Sequence, residues 1–370
     1  MSKSREGVSP IKKMTSGEKA GDAMLSGYRV LDLADEKGYY CGKLLGDLGA
    51  DVIKVERPGG DASRNIGPFF QDIPHPEKSL SWAANNTSKR GITLDIETRD
   101  GQEFFKRLAE RADFIIESFA PGRMDELGLG YDSIKGINPG LIMTSISPFG
   151  QSGPYRDYKT TDLVSMAMGG FMFITGDHDR PPIRITIPQA GMLASTHAAC
   201  GTLVAHCHRR TNGAGQHVDV STHEAVARVL FMEPMFWDFE RYLIGRYGAK
   251  VHRGKIFQTE VWPCKSGQVM WRLLTGVFGR RMQGLVDWMD EEGMADALKD
   301  VEDWESLDFS SITQEKIEAW EEAIGEFFMR HSMTELHEEA QKRFVFLAPC
   351  YTPREIAEDE GAGQDQFIWL

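Results

Sequence analysis

The chain has 370 residues, with 55 acidic and 42 basic side chains and a net charge of −13. Its length exceeds what one compact core usually holds, so we expect two domains. The acidic excess argues against broad binding to nucleic acid or to anionic membranes, and an anionic ligand would need a local basic pocket. No stretch approaches the roughly 18 apolar residues of a transmembrane helix.

The five cysteines are scattered and form no C-x-x-C pair. This spacing argues against a disulfide framework or a zinc ribbon, and it fits a reducing cytoplasm. Residues 1–25 are polar and lack the apolar core of a signal peptide. They are therefore predicted to be a disordered leader.

From residue 28 onward, short apolar runs alternate with segments of helical periodicity. The helices predicted in this part are 38–48 and 101–111, and the strands are 28–33, 51–56, 92–95, 113–117 and 141–146. Strands that alternate with helices form βαβ units and a mostly parallel sheet. The fold class is therefore predicted as α/β, with residues 26–200 forming a Rossmann-like large domain.

The rest of the chain predicts a helical linker and a smaller α+β domain. A long helical signal runs from about 194 to 240 and includes 224–237, and the linker is predicted as 201–245. Within 246–350, two strands (258–263 and 268–272) flank a turn, and the helices 279–289, 317–329 and 333–340 follow. Residues 351–370 are a C-terminal segment.

Six segments carry a family resemblance in their order and spacing. They are 45–61, 89–95, 112–122, 128–131, 138–139 and 213–221. Together they resemble the class III CoA-transferases, also called the CaiB/BaiF family. The resemblance implies a Rossmann-like large domain, a helical linker and a small domain, with two chains joined as interlocked rings.

The segment 187–195 places Gly191 where this family has its nucleophilic Asp. In the family, that carboxylate attacks the donor thioester and forms a mixed anhydride, which leads through an enzyme-CoA thioester to the acceptor acid. Glycine has no side chain that can be acylated. Since no Asp or Glu lies between Arg180 and Gln216, no catalytic residue is predicted in this chain.

The resemblance also locates residues that contact CoA in the family. Arg57 and Lys159 match such positions, whereas Glu97 and Glu126 replace basic residues that hold the CoA phosphates. A glutamate about 4 Å from a phosphate costs a few kcal/mol per unit charge at an effective dielectric near 20. We therefore expect no cofactor in this chain and CoA thioester bound mainly by a partner. The alternative is that both glutamates are solvated surface charges.

The loop 33–38 carries a further departure from the family. Glu36 and Lys37 stand where family residues line the reacting thioester. The loop is most similar to subunits of heteromeric members such as succinyl-CoA:(R)-benzylsuccinate CoA-transferase of anaerobic toluene degradation.

Three other residue groups have structural interpretations. Asp162 is interpreted as a helix N-cap, and Asp177 and Asp179 as turn residues. A helix face that could suggest a metal site is interpreted as a buried polar or interface stripe, because metal ligands converge from several elements. This face comprises His197, Cys200, Cys207 and His208.

The sequence thus predicts a nucleophile-lacking subunit of a heteromeric CoA-transferase. Its partner would be an Asp-bearing paralogue, in a heterodimer or a heterotetramer, with acyl-CoA and carboxylic acid substrates. Two alternatives are an isomerase that resembles α-methylacyl-CoA racemase and a non-enzymatic scaffold homologue. The sequence leaves the acyl donor and the acceptor open.

Overall fold

The computed structural model describes residues 23–253, 256–308 and 311–358. They form two units. The first extends to Gly169 and includes Ile185–Phe231, and the second comprises Gly170–Arg184 and the residues from Met232 onward. No helix in the described ranges is both long and apolar enough to cross a membrane.

The first unit is built on a six-stranded parallel sheet with the order β3-β2-β1-β4-β5-β6. The strands are β1 (Arg29–Asp32), β2 (Asp51–Glu56), β3 (Lys89–Thr93), β4 (Phe114–Glu117), β5 (Ile142–Ser147) and β6 (His217–Ser221). This is the strand order of a doubly wound Rossmann-like sheet. The predicted α/β class and parallel sheet are confirmed.

Helices cover both faces of this sheet because its central strands are apolar on both sides. Val30 of β1 packs in one core cluster and its neighbour Leu31 in another, as the two-residue period of a strand requires. The first cluster includes α1 and α7, and the second includes α3 and α5. The helices of this unit are α1 (Tyr39–Asp47), α2 (Leu80–Asn85), α3 (Arg99–Ala109), α4 (Arg123–Glu126), α5 (Tyr131–Ile137), α6 (Asp162–Met168), α7 (Ala190–Asn212) and α8 (Thr222–Val229).

The second unit combines short antiparallel strands with helices. Its elements are α9 (Glu233–Glu240), β7 (Lys250–Arg253), β8 (Ile256–Thr259), β9 (Val261–Cys264), β10 (Gly267–Trp271), α10 (Arg280–Glu291), α11 (Gln314–Arg330), α12 (Met333–Lys342), β11 (Leu347–Pro349) and α13 (Pro353–Glu358). The hairpin β9–β10 confirms the predicted turn, and β11 completes its sheet. Trp262, Trp271 and Phe328 pack edge to face in the core.

The structure divides the chain differently from the predicted domain boundaries. The boundary at residue 200 would cut α7, and the predicted linker 201–245 contains β6, the sixth strand of the large sheet. The predicted helix 224–237 is two helices, α8 and α9. Most of the predicted leader, 1–25, and the end of the C-terminal segment, 351–370, lie outside the described residues.

Candidate functional site

The large sheet has a crevice where its strand order changes direction, between β1 and β4. Ligands of open parallel sheets bind at such a point, at the carboxyl ends of the strands. The loops after the two strands are joined there, because Asp35 N donates to Ser118 Oγ at 2.9 Å and Ser118 Oγ donates to Asp35 Oδ1 at 2.7 Å. The loop 33–38, whose residues were identified from sequence, therefore lies at the switch point.

Gly191 lies beside this loop, as the second residue of α7. A Cβ atom built on Gly191 would lie 3.2 Å from the carbonyl oxygen of Glu36 and 3.4 Å from that of Lys37. These are tight contacts with backbone atoms, which yield less readily than side chains. The position thus lacks a nucleophile and is also crowded by the loop.

Asp162 supports the start of α7. Its Oδ1 accepts hydrogen bonds from the backbone nitrogens of Gln189 and Ala190, both at 2.7 Å. The N-cap of its own helix, α6, is Thr161. Asp162 therefore does not cap its own helix, contrary to the prediction. It accepts hydrogen bonds from backbone donors at the start of α7, of which Gln189 lies 27 residues further along the chain.

A cavity of about 440 Å³ opens at the same ends of the strands. Arg57 and Glu97 both line it, as does Phe119. Its other charged lining residues are Asp35, Glu56, Asp61 and Asp95. The lining therefore has five carboxylates and one guanidinium. Although Asp35, Glu56 and Glu97 pair with Lys37, Arg64 and Arg123, this excess of carboxylates disfavours an anionic ligand.

Glu97 and Glu126 both form ion pairs with the same side chain, Arg123. Arg123 Nη1 lies 2.8 Å from Glu126 Oε2, and Arg123 Nη2 pairs with Glu97. All three side chains are exposed to solvent to a large extent. Arg123 was not predicted, although its spacing of three residues from Glu126 on α4 signals a helical ion pair.

The other predicted charges are placed apart from this cluster. Lys159 is exposed on the segment before α6 and does not line the 440 Å³ cavity in the described structure. Lys37 Nζ pairs with Asp35 and lies 4.0 Å from Glu36 Oε1. The negative charge of Glu36 at the loop is thus partly balanced.

Three charged side chains, those of Asp32, Lys54 and Lys89, are buried together at the end of β1, and we call this group the floor. Lys89 Nζ donates to Asp32 Oδ2 at 2.8 Å, and Lys54 Nζ lies 3.7 Å from Asp32 Oδ1. Burial lowers the pKa of Lys89, while Asp32 acts in the opposite direction. A Cβ at Gly42 would lie 2.2 Å from Asp32 Oδ2, so this position requires glycine.

A second polar cluster, absent from the sequence prediction, lies at the ends of β4 and β5. Ser145 Oγ is 2.8 Å from His217 Nε2, and Glu117 Oε2 accepts from Phe119 N at 2.7 Å. Burial raises the pKa of Glu117 to about 7. The three side chains line a cavity of about 200 Å³. The sequence signal that could have identified this cluster is the alternation of polar residues on two paired strands.

The remaining sequence groups do not converge on a site. Asp177 makes the predicted turn, because its carbonyl oxygen accepts from Arg180 N at 3.3 Å. On α7, Cys200 and Cys207 are exposed, and His197 Nδ1 lies 2.9 Å from the carbonyl oxygen of Leu193. The described residues contain no group of three or more His, Cys, Asp or Glu side chains arranged to hold a metal ion.

Comparison with known proteins identifies the family of this chain. The family model of CoA-transferase family III matches residues 25–369. The chain belongs to this family. It is 33% identical to the succinyl-CoA:(R)-benzylsuccinate CoA-transferase subunit BbsE of Thauera aromatica, over 92% of this chain and 82% of that protein.

A second relative, the succinyl-CoA--D-citramalate CoA-transferase of Chloroflexus aurantiacus, is 44% identical over 58% of this chain and 53% of that protein. The chain therefore spans about half of this relative. Among solved structures, a CaiB/BaiF family protein from Brucella suis superposes with a TM-score of 0.74 and is 29% identical. The superposition covers 91% of this chain and 86% of that one, which supports the fold described above.

Proposed function

We propose that this chain is the subunit without a nucleophile in a heteromeric CoA-transferase. The complex would move CoA from an acyl-CoA such as succinyl-CoA to a carboxylic acid. The observation that carries the proposal is the glycine at position 191, which the family resemblance aligns with the catalytic Asp and where a Cβ would lie 3.2 Å from the carbonyl oxygen of Glu36. Without a carboxylate there, this chain cannot carry the acyl group.

An Asp-bearing paralogue would supply the chemistry. Its carboxylate attacks the thioester carbonyl, the carbon–sulfur bond breaks, and CoA leaves as a thiolate while a mixed anhydride forms. The thiolate then attacks the anhydride on the enzyme's own acyl carbon and releases the donor acid. The acceptor carboxylate then attacks the enzyme-CoA thioester, which forms a second mixed anhydride and releases the CoA thiolate. This thiolate attacks the acyl carbon of the acceptor, which forms the acceptor-CoA thioester and releases the Asp carboxylate. This chain contributes no atom to these bonds.

Exposed apolar side chains support a partner chain. None of the eight residues of α9 is buried, although Phe239 and Trp237 belong to it and are 82% and 45% exposed. In the first unit, Val204 of α7 is 70% exposed. Large apolar side chains left in water on several elements are typical of a subunit interface. We expect the paralogue to cover them, in the interlocked arrangement that the family resemblance implies.

The relative BbsE supports the choice of substrates in this proposal. It is named as a subunit of a succinyl-CoA:(R)-benzylsuccinate CoA-transferase, and its match covers most of both chains. We therefore propose succinyl-CoA as donor and (R)-benzylsuccinate as acceptor. The acidic lining of the 440 Å³ cavity and the pairing of Arg123 with Glu97 and Glu126 support CoA binding on the partner.

The test is to purify the chain alone and together with its Asp-bearing paralogue, and to measure CoA transfer from succinyl-CoA to (R)-benzylsuccinate. We expect transfer only by the complex, and an Asp→Ala change in the paralogue should abolish it. A covalent acyl group on the purified single chain would overturn the proposal. Exchange of an α-proton by the complex without transfer would instead indicate an isomerase. Full activity of the paralogue alone would indicate a scaffold.

A further inference from the structure

The second unit contains a cavity of about 570 Å³ walled by rings, which we call the aromatic pocket. Its lining is Phe236, Glu240, Tyr242, Ile244, Tyr247, Val251 and His252. Neighbouring rings meet at steep or intermediate angles, 81° between Phe236 and Tyr242 and 44° between Tyr247 and His252. The proposed CoA-transferase chemistry uses none of these side chains.

The polar atoms of the ring residues bond to one another. The hydroxyl of Tyr242 lies 2.9 Å from that of Tyr247 and 2.6 Å from His252 Nδ1, and Gly245 N donates to the Tyr247 hydroxyl at 3.2 Å. Burial, followed by the hydrogen bond with Tyr247, raises the pKa of Tyr242 to about 12. Tyr242 is thus a neutral phenol at physiological pH. A ligand meets mainly ring and aliphatic surface.

The charge of the pocket is negative. Glu240 is its one carboxylate, is exposed, and forms no ion pair within the described part of the chain. It is also the last residue of α9, whose C-terminus carries a partial negative charge. The nearby arginines face elsewhere: Arg241 lies over the ring of Trp237, and Arg246 donates to the carbonyl oxygen of Phe173.

We propose that the aromatic pocket binds an organic cation of the quaternary ammonium class. The negative faces of aromatic rings attract a cation, and Glu240 and the helix end act in the same direction. A primary ammonium could donate one N–H to Glu240, but it requires further hydrogen-bond acceptors when it is desolvated, and the mutually bonded hydroxyls do not supply them. A quaternary ammonium has no N–H group and needs none. This inference does not use the transferase chemistry, although α9 also carries Trp237 and Phe239, which we expect the paralogue to cover.

The test compares choline with its neutral isostere 3,3-dimethyl-1-butanol, by calorimetric titration of the full chain. We expect saturable binding of choline and binding of the isostere weaker by about tenfold, within the range of a cation–π contact. Tyr242→Leu removes a ring and should weaken choline binding by about tenfold. Tyr242→Phe keeps the ring and should bind within about twofold of wild type. Circular dichroism verifies that each variant is folded.

A second readout is independent of the Tyr242 variants. The N-methyl protons of bound choline should shift upfield in proton NMR because of the ring currents, and Glu240→Gln should weaken the binding a few-fold. Equal binding of choline and the isostere would overturn the proposal, since the pocket would then recognise shape alone. Absence of saturable choline binding, or equal losses in Tyr242→Phe and Tyr242→Leu, would overturn it too.

Discussion

Two charged groups of the first unit, the floor (Asp32, Lys54 and Lys89) and a group that we call the rim (Glu97, Glu126 and Arg123), differ strongly in their exposure to solvent. On the floor, the side chains of Lys54 and Lys89 are 3% and 1% exposed and face the fully buried Asp32. At the rim, Glu97 and Glu126 are 59% and 67% exposed around Arg123. The two groups therefore differ in the amount of water that screens them.

This difference distinguishes charges that stabilise the fold from charges that can change with the ligand. Removing one partner of a buried charge pair leaves an uncompensated charge in a medium of low dielectric and is strongly destabilising. An exposed pair contributes little to stability because water and salt screen it. Charges at the rim can therefore change, and with them the preferred ligand, while the sheet below stays intact. The four predictions below test this comparison.

The largest effect is expected on the floor, from Gly42→Ala. The new Cβ would lie 2.2 Å from Asp32 Oδ2, and the buried Asp32 cannot move without weakening its bonds to Lys89. We expect a loss of about 3–5 kcal/mol in the free energy of unfolding, as for breaking a buried pair. That corresponds to a melting temperature lower by about 10 °C, measured by thermal and urea unfolding.

Gly136→Ala is the matched control, because Gly136 lies in α5 and a Cβ there meets nothing within 4 Å. Alanine is favoured over glycine in a helix, so this variant should unfold no more easily than wild type. If Gly42→Ala lost less than about 1 kcal/mol, the floor would be more adaptable than its geometry indicates.

The strands were predictable where both faces of the sheet are buried, because such a strand is a continuous apolar run in the sequence. The predicted strand 51–56 is β2 without change, since five of its six residues are buried. The edge strands were harder. β6 was missed because His217 is exposed and polar residues alternate in it, and β3 begins at Lys89, earlier than predicted. At the edge of a sheet, backbone pairing determines the bounds of a strand, and the pattern of its side chains indicates them only weakly.

The candidate site was predictable only in part, for a similar reason. The absence of a carboxylate at Gly191 is visible in the sequence, but its contact with the carbonyl oxygens of Glu36 and Lys37 depends on the fold. Likewise, Glu97 and Glu126 were identified singly. Their common counter-ion Arg123 lies 26 residues from Glu97. At this separation, the spacing in the sequence does not predict a contact between two side chains.

The second prediction concerns Glu117, a buried acid that forms no ion pair with a Lys or Arg of the described residues, in contrast to Asp32 on the floor. Its pKa is about 7 in the folded protein against 4.5 in the unfolded chain, so the folded state binds more protons between these values. Stability should therefore fall as pH rises from about 4.5 to about 7. Glu117→Gln removes this fall and should be more stable than wild type at about pH 8, by up to about 3 kcal/mol.

Urea unfolding of both proteins at several pH values measures this difference. Glu110→Gln, at an exposed residue at the end of α3, is the control and should follow the wild-type curve. A difference between Glu117→Gln and wild type that does not grow with pH would show that Glu117 titrates in its ordinary range.

The third prediction tests the rim through CoA binding and rests on the proposed function. Reversing both charges in Glu97→Lys/Glu126→Arg also frees Arg123, so we expect the affinity of this chain for CoA to rise by at least about tenfold at low salt. The gain should shrink as ionic strength rises. Calorimetry of the complex should show about one CoA site per heterodimer for wild type and a second site for the variant.

The control for this variant carries the same change of net charge at a different place. Glu103→Lys/Glu110→Arg places the cations on α3, outside the lining of the 440 Å³ cavity. It should leave CoA binding unchanged. Two equivalent CoA sites in the wild-type complex would contradict the partition of roles between the subunits.

The smallest effect is expected from Gly191→Asp, which introduces the Asp that the family resemblance predicts at this position. A nucleophile must be held about 3–3.5 Å from the thioester carbon with donors around the developing charge. Here its Cβ would lie 3.2 Å from the carbonyl oxygen of Glu36 and 3.4 Å from that of Lys37, and Glu36 adds a like charge. These neighbours are acceptors, so they should raise the pKa of the new carboxyl group and lower its nucleophilicity.

We therefore expect Gly191→Asp to fold, to pair with the paralogue, and to change the transfer rate of the complex by less than about twofold. Gly191→Ala introduces the same Cβ without the charge, so a difference in stability between the two variants isolates the carboxylate. Transfer by the isolated Gly191→Asp chain at a rate near that of the complex would show that the rim still supports catalysis. Gly191 would then be a single loss in a competent crevice, and the rim charges would have no part in the division of labour.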